Sequence, residues 1–95
     1  MAPESSPDHP VREVRVTLPA GVDLHARPAA TLVKTAMRFR ARITLLDGAR
    51  EADAKSILGV MALGVRGGTV LRLRASGDDA AAALDALSAC VATLA

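Results

Sequence analysis

A chain of 95 residues is long enough for one domain and short for two. Apolar residues make up 51% of the sequence, which predicts a packed core rather than disorder. A formal charge of +2 and a single aromatic residue argue against nucleic-acid binding, because single strands are bound by basic grooves with stacked aromatic rings. The sequence shows neither a membrane-spanning apolar run nor a signal peptide, so we expect a cytoplasmic protein without membrane insertion. The single cysteine, Cys90, falls in an apolar helical stretch and is expected to be buried and inert.

The first ten residues, MAPESSPDHP, are rich in proline and polar side chains. They predict a flexible tail at 1–10 that precedes one domain at 11–95. The next segment, VREVRVTL, alternates apolar and polar residues, which is the period of a strand with one buried face. Pro19 and Gly21 then predict the end of this strand.

A helix is predicted to follow His25. Pro28 falls in its first turn, where the missing N–H costs nothing. Apolar residues at helical spacing predict its buried side, which comprises Ala29, Leu32, Val33, Ala36 and Met37.

A second strand is predicted at 41–46, with Ile43 and Leu45 on its buried side. The dipeptide Asp47-Gly48 is a strong signal for a two-residue hairpin turn, and a short returning strand is expected at about 50–54. Ser56 then opens a compact helix at 57–63, which Gly64 is expected to end with a left-handed cap.

A fourth strand is predicted at 69–75, followed by a helix that begins near Asp78 and Asp79, where carboxylates are favoured by the positive helix end. The buried side of this helix is predicted to comprise Leu84, Leu87, Val91 and Leu94. The element order is therefore β-α-β-β-α-β-α. Strands with one polar face predict an α+β fold, in which a four-stranded antiparallel sheet is covered by three helices on one face.

The segment GVDLHARPAA, at 21–30, carries the candidate chemistry. His25 stands where a helix begins, and the free N–H groups and the dipole of a helix start favour an anion. Arg27 follows two residues later and can donate paired hydrogen bonds to phosphate oxygens. Imidazole is a nucleophile near neutral pH, and phosphoryl transfer needs chiefly positioning and charge stabilisation. On the residues alone, a phosphocarrier and a histidine that only caps the helix remain equally open.

Three further features have a structural and a functional interpretation. Ser56 is expected to cap the helix that follows it, and the residues favour that role over phosphorylation. This helix is almost entirely apolar, so part of it must be exposed, and Leu58 and Met61 are candidates for a docking surface. Five basic residues without an acidic one form either a solvated face or a stripe that steers acidic partners; they are Arg27, Lys34, Arg38, Arg40 and Arg42.

The run LHARPAA, followed about 25 residues later by AKSILGVMALGV, resembles the HPr family, the histidine-containing phosphocarriers of the bacterial sugar phosphotransferase system. The similarity covers about Val11 to Leu94. It implies an open-faced β-sandwich, phosphorylation of His25 at Nδ1 and a supporting role for Arg27. It also implies that enzyme I, charged from phosphoenolpyruvate, is the donor, and that IIA domains of sugar permeases are the acceptors.

The resemblance carries further expectations. Ser56 matches a serine that an HPr kinase/phosphorylase modifies in some bacteria, which would bring in a transcription regulator as a partner. Ala26, Leu58 and Met61 are expected to contact partners. The implied protein is a monomeric carrier rather than a turnover enzyme, with no cofactor and no metal.

One position departs from the family pattern. Many members have glycine directly before the Leu-His pair, whereas this chain has Asp23. Glycine often marks a positive φ, a conformation that aspartate tolerates better than most residues, so the turn is expected to survive. The carboxylate is nevertheless two residues from His25 and is expected to repel a phosphoryl group there.

Other functions remain open. A regulatory interaction module that works through Ser56 is disfavoured by the presence of both His25 and Arg27. A small nucleic-acid-binding domain, suggested by the arginines, is disfavoured by the low charge and the lack of aromatic residues. Within the phosphocarrier class, sugar uptake, a nitrogen-linked regulatory branch and a dihydroxyacetone kinase system are all open, and the stretch SILGVMALG favours sugar uptake.

Overall fold

The computed structural model describes residues 10–94. The elements in this range are β1 (Val11–Thr17), α1 (Ala26–Ala36), β2 (Arg42–Asp47), β3 (Arg50–Asp53), α2 (Ile57–Ala62), β4 (Val70–Ser76) and α3 (Ala80–Ala92). The predicted order β-α-β-β-α-β-α is therefore confirmed. The predicted tail, apart from Pro10, lies outside the described residues. No helix of the described range is long and apolar enough to cross a membrane.

The four strands form one antiparallel sheet in the order β1-β4-β2-β3. Leu73 of β4 pairs with Val14 of β1 on one side and with Leu45 of β2 on the other, so these apolar side chains share the covered face. Helix residues complete one hydrophobic core with them. The predicted α+β fold is confirmed, and burial of this single face is what holds the helices against the sheet.

The uncovered face of the sheet carries the strand residues that alternate with those of the covered face. Glu13 of β1 lies between two arginines of β4, with its carboxylate 3.5 Å from Arg72 and 3.2 Å from Arg74. Such exposed ion pairs contribute little to stability. The face is solvated, as its alternating sequence pattern predicts.

The hairpin between β2 and β3 differs from the prediction by one position. Asp47 pairs with Arg50, so the two central turn residues are Gly48 and Ala49 rather than Asp47 and Gly48. Gly48 has a φ of +62°, and no non-glycine residue of the described range has a positive φ. Glycine at the first central position with an ordinary residue after it is the type II′ pattern, whose twist suits a hairpin.

Asp79 does not cap α3 with its side chain, although it occupies the N-cap position. Its carboxylate accepts the N–H of Arg40 at 2.9 Å and the N–H of Ala41 at 2.8 Å, which ties the start of α3 to the turn between α1 and β2. The hydrogen bond from Arg40, and then that from Ala41, lowers the pKa of the Asp79 carboxyl below its ordinary value.

Some predicted core positions are less buried than expected. Four residues of the predicted α1 stripe are buried, but Met37 follows the helix as its C-cap and is 65% exposed. Leu94 follows α3 and is only partly buried. Cys90 is also only partly buried, and its Sγ accepts a hydrogen bond from the Thr35 hydroxyl at 3.6 Å.

Candidate functional site

His25 joins the loop after β1 to the first turn of α1. It is the N-cap residue, with extended backbone angles (φ −84°, ψ −167°), and its carbonyl accepts the first intrahelical hydrogen bond from Ala29 at 3.0 Å. The His25 side chain makes no capping hydrogen bond and is exposed. The imidazole is therefore not occupied by a capping role, and it is accessible to a reaction partner.

The start of α1 is electrostatically suited to an anion. Because the first intrahelical bond runs from Ala29, the N–H groups of Ala26 and Arg27 have no acceptor within the helix. Pro28 lies in the same turn, is buried, and has no N–H to leave unpaired. The helix thus places two free donors and the positive end of its dipole beside the imidazole.

Arg27 and His25 line the same surface depression. The depression continues along α1 to Thr31 and is bordered by Thr93 and Leu94, which follow α3. Arg27 is exposed and offers a guanidinium group with fixed donor geometry. Both side chains are therefore accessible from the same depression.

The loop that carries His25 is held by the loop between α2 and β4. Leu24 is buried, and its N–H donates to the carbonyl of Val65 at 2.9 Å. The N–H of Gly67 donates to Oδ1 of Asp23 at 2.8 Å. Asp23 has no positive φ; Gly21 supplies that conformation in this loop, with a φ of +82°. Asp23 therefore does not adopt the positive φ that glycine at this position would suggest.

Comparison with known proteins identifies the family. A family profile described as "PTS HPr component phosphorylation site" matches residues 11–93. The chain belongs to the HPr family. The phosphocarrier protein HPr of Xylella fastidiosa is 45% identical over 76 residues, which cover 80% of this chain and 85% of that protein.

Two solved HPr structures from Thermoanaerobacter tengcongensis extend this similarity to the fold. One has 40% identity and a TM-score of 0.83, and the match covers 87% of this chain and 93% of that chain. The other, described as an HPr dimer, has 44% identity and a TM-score of 0.69, with 74% and 80% of the two chains covered. As an HPr-family member, the protein is a phosphocarrier of the phosphotransferase system.

In this HPr-family chain, Ser56 is the N-cap of α2. Its Oγ accepts the N–H of Gly59 at 3.1 Å, so the predicted capping role is confirmed. The helix buries Val60 and leaves Leu58 77% exposed and Met61 38% exposed. The prediction that part of this apolar helix is exposed is also confirmed.

The far end of α2 is held by a residue that no local sequence pattern singles out. The guanidinium of Arg50, at the start of β3, donates to the carbonyl of Leu63 at 2.9 Å and to that of Ala62 at 2.7 Å. These carbonyls lack intrahelical donors, so Arg50 acts as a C-cap from a neighbouring strand. Only the tertiary fold reveals this contact, because Arg50 and the two carbonyls are separated in sequence by more than a helical turn or a tight hairpin would join.

The five basic residues do not form one stripe. Arg27 and Lys34 belong to α1, and Arg38 and Arg40 lie in the turn that follows it. Arg42 belongs to β2 and precedes the buried Ile43, so its side chain is on the uncovered face of the sheet. There it lines a separate depression with Arg74 of β4. Of the two interpretations left open by the sequence, a stripe that joins all five residues is therefore excluded for Arg42, which lies on a different face.

Proposed function

We propose that His25 is the residue that carries the phosphoryl group, accepting it from enzyme I charged by phosphoenolpyruvate and passing it to IIA domains of sugar permeases. The observation that carries the proposal is the exposed and unbonded imidazole at the N-terminus of α1, beside Arg27. A regulatory module that no longer used its histidine would have no need of this arrangement.

The transfer step needs one nucleophilic nitrogen. The lone pair of Nδ1 forms the bond to phosphorus while the bond between phosphorus and the donor group breaks, and the donor keeps that electron pair. Nε2 retains its hydrogen, so no external base is required. The reverse displacement, with a nucleophile of the IIA domain, regenerates His25 and completes a carrier cycle without net turnover of a small molecule.

The protein's contribution to this step is charge stabilisation. The free N–H groups of Ala26 and Arg27, the α1 dipole and the Arg27 guanidinium all favour the anionic phosphoryl group beside His25. The two N–H groups and the helix dipole are fixed before the donor arrives, and such preorganisation is the main protein contribution in phosphoryl transfer. No cofactor or metal enters the proposal.

The test is transfer of label from radioactive phosphoenolpyruvate in the presence of enzyme I, followed by addition of a IIA domain. Wild type should become labelled and then lose label to the IIA domain. His25→Ala should remain unlabelled, whereas His9→Ala, at the other histidine of the chain, should behave as wild type. Equal labelling of wild type and His25→Ala, or no labelling of wild type by active enzyme I, would refute the proposal.

The docking surface proposed for enzyme I and the IIA domains includes exposed residues of α1 and α2. It comprises Ala26, which is exposed in the first turn of α1, and Leu58 and Met61 of α2. Exposed apolar side chains beside a reactive group are typical of a protein-binding surface. The chain is proposed to act as a cytoplasmic monomer. Because one related structure is described as an HPr dimer, the mass of this chain in solution should be measured to distinguish monomer from dimer.

Ser56 is proposed as a regulatory phosphorylation site for an HPr kinase/phosphorylase, with a transcription regulator as reader of the modified form. Phosphorylation adds about −1.5 to −2 charges, which the N-terminus of a helix tolerates. The charge would therefore alter the docking surface and leave the fold intact. Incubation with such a kinase and ATP should label wild type and not Ser56→Ala, and labelling of both variants would reject this assignment.

A further inference from the structure

We infer that Asp23 is a positioning residue for His25, because its carboxylate anchors the loop that carries the histidine to the loop between α2 and β4. The inference rests on the proposed phosphocarrier role of His25 and extends it to a residue outside the His-Ala-Arg-Pro run. It gives Asp23 a structural role in addition to the repulsion of the phosphoryl group expected from the sequence.

Asp23 is bonded through both its side chain and its backbone. Its Oδ1 accepts the N–H of Gly67 at 2.8 Å, and its carbonyl accepts the N–H of His25, also at 2.8 Å. A single residue thus connects the backbone of the histidine directly to the opposite loop. A bond from an N–H to a carboxylate is stronger than one between neutral groups, which suits it to this anchoring role.

The two loops are in close contact around this bond. A Cβ added at Gly67 would lie 2.6 Å from the backbone nitrogens of Gly21 and Val22, so the loops approach to a distance that only glycine allows. Leu24, between Asp23 and His25, is buried and donates its own N–H to Val65. The carboxylate therefore closes a contact that the backbone geometry already favours.

The anchor also relates His25 to α2. Asp23, His25 and Met61 line one surface depression, together with Arg66 of the anchoring loop. Loss of the carboxylate would leave the α2 docking residues in place while the histidine gained freedom relative to them. We therefore expect the substitution to reduce the rate of transfer within the complex much more than the affinity for a partner.

The experiment compares wild type, Asp23→Ala and Asp23→Asn in single-turnover phosphorylation by enzyme I. Asp85→Ala, which removes an exposed carboxylate of α3, is the charge-matched control. Asp23→Ala should lower the maximal rate about tenfold, equivalent to about 1.4 kcal/mol, with little change in the half-saturating concentration of enzyme I. Asp23→Asn should recover most of the rate, because its amide oxygen can still accept the Gly67 N–H. Asp85→Ala should transfer at the wild-type rate.

Backbone amide exchange, measured by NMR on the same proteins, reports the anchor independently of activity. The amides of Gly67 and Leu24 should exchange faster in Asp23→Ala than in wild type or Asp23→Asn. A wild-type or higher rate in Asp23→Ala would overturn the inference, as would an Asp23→Asn variant as slow as Asp23→Ala. Failure of wild type itself to accept phosphate would instead count against the proposed function.

Discussion

His25 and Met61 line one surface depression, although the first precedes α1 at its N-cap position and the second lies in α2. The two helices are packed side by side on the covered face of the sheet, with Leu32 and Val60 both part of the buried core. A protein that covered Met61 would therefore also lie close to the imidazole proposed to carry the phosphoryl group.

Met61→Asp tests the docking role of α2. Met61 is 38% exposed, so a charge there should leave the fold intact and interrupt an apolar interface. We expect a loss of about tenfold in kcat/KM for phosphate acceptance, mostly through KM, which is the effect of a moderate hot-spot residue. The measurement is steady-state transfer from enzyme I, with circular dichroism to verify folding.

Val11→Asp is the control for that substitution. Val11 is 42% exposed, close to Met61 in exposure, but it lies on the uncovered face of the sheet. It should transfer phosphate as wild type does. Equal losses in the Val11 and Met61 variants would mean that α2 has no specific docking role.

Arg27→Ala tests charge stabilisation at the histidine. Removing the guanidinium from the depression that it shares with His25 should slow transfer by about a hundredfold, the usual cost of losing one preorganised donor in a transition state. Rapid-quench measurement of phosphohistidine formation gives the rate. Lys34→Ala, which removes a basic residue from the same helix, should transfer at close to the wild-type rate. If the two variants are equally slow, general basic charge rather than Arg27 itself is responsible.

The sequence predicts the position of the candidate site better than it predicts what holds the site together. The helix after His25, the cap at Ser56 and the exposed apolar residues of α2 follow from local rules of spacing and capping. The bond from Gly67 to Asp23 joins loops far apart in sequence, and no local pattern encodes it. For that reason the sequence suggests only an electrostatic effect of Asp23, whereas the structure adds the hydrogen bond from Gly67 on which the proposed anchoring role rests.

Arg50→Met tests the distant C-cap of α2. The substitution keeps the apolar part of the side chain and removes the bonds to the carbonyls of Leu63 and Ala62. We expect the free energy of unfolding to fall by about 1 kcal/mol, a typical net value for hydrogen bonds of this kind. Urea denaturation measures it. Arg15→Met, at an exposed position of β1, should have a smaller effect, and equal effects would exclude a specific capping role.

Asp79 predicts a dependence of stability on pH. Its pKa is lowered, first by the hydrogen bond from the Arg40 N–H, so its contribution to stability is present above the ordinary value of 3.8 and is lost as the pH falls through the lower native value. Asp79→Ala should therefore have a lower urea midpoint than wild type at neutral pH. The difference should shrink as the pH falls below 3.8, because the carboxyl of the unfolded chain and then that of the folded chain become protonated.

Asp85→Ala serves as the control for the pH series. Asp85 is exposed on α3, where alanine is at least as favourable for helix formation, so the midpoint should not fall at neutral pH. A gap between wild type and Asp79→Ala that stays constant down to acid pH would show that the Asp79 carboxylate is not its source.

Contacts between distant residues also explain why the hairpin and the start of α3 differ in detail from their sequence predictions. The hairpin is predicted from Asp47-Gly48, but pairing of Asp47 with Arg50 moves the turn to Gly48 and Ala49, because the ladder rather than the dipeptide fixes the register. Asp79 is predicted as a helix-start carboxylate, yet two N–H groups of a distant turn compete successfully for it. In both cases a partner from elsewhere in the chain decides the outcome.

The central claim, that His25 carries the phosphoryl group at Nδ1, is tested most directly by NMR of the imidazole nitrogens during incubation with enzyme I and phosphoenolpyruvate. The ¹⁵N resonance of His25 Nδ1 should shift and show coupling to ³¹P, while the resonances of His9 stay unchanged. The His25 resonance should return to its starting position after a IIA domain is added. An unchanged His25 spectrum with enzyme I of proven activity, or coupling at His9 instead, would contradict the claim.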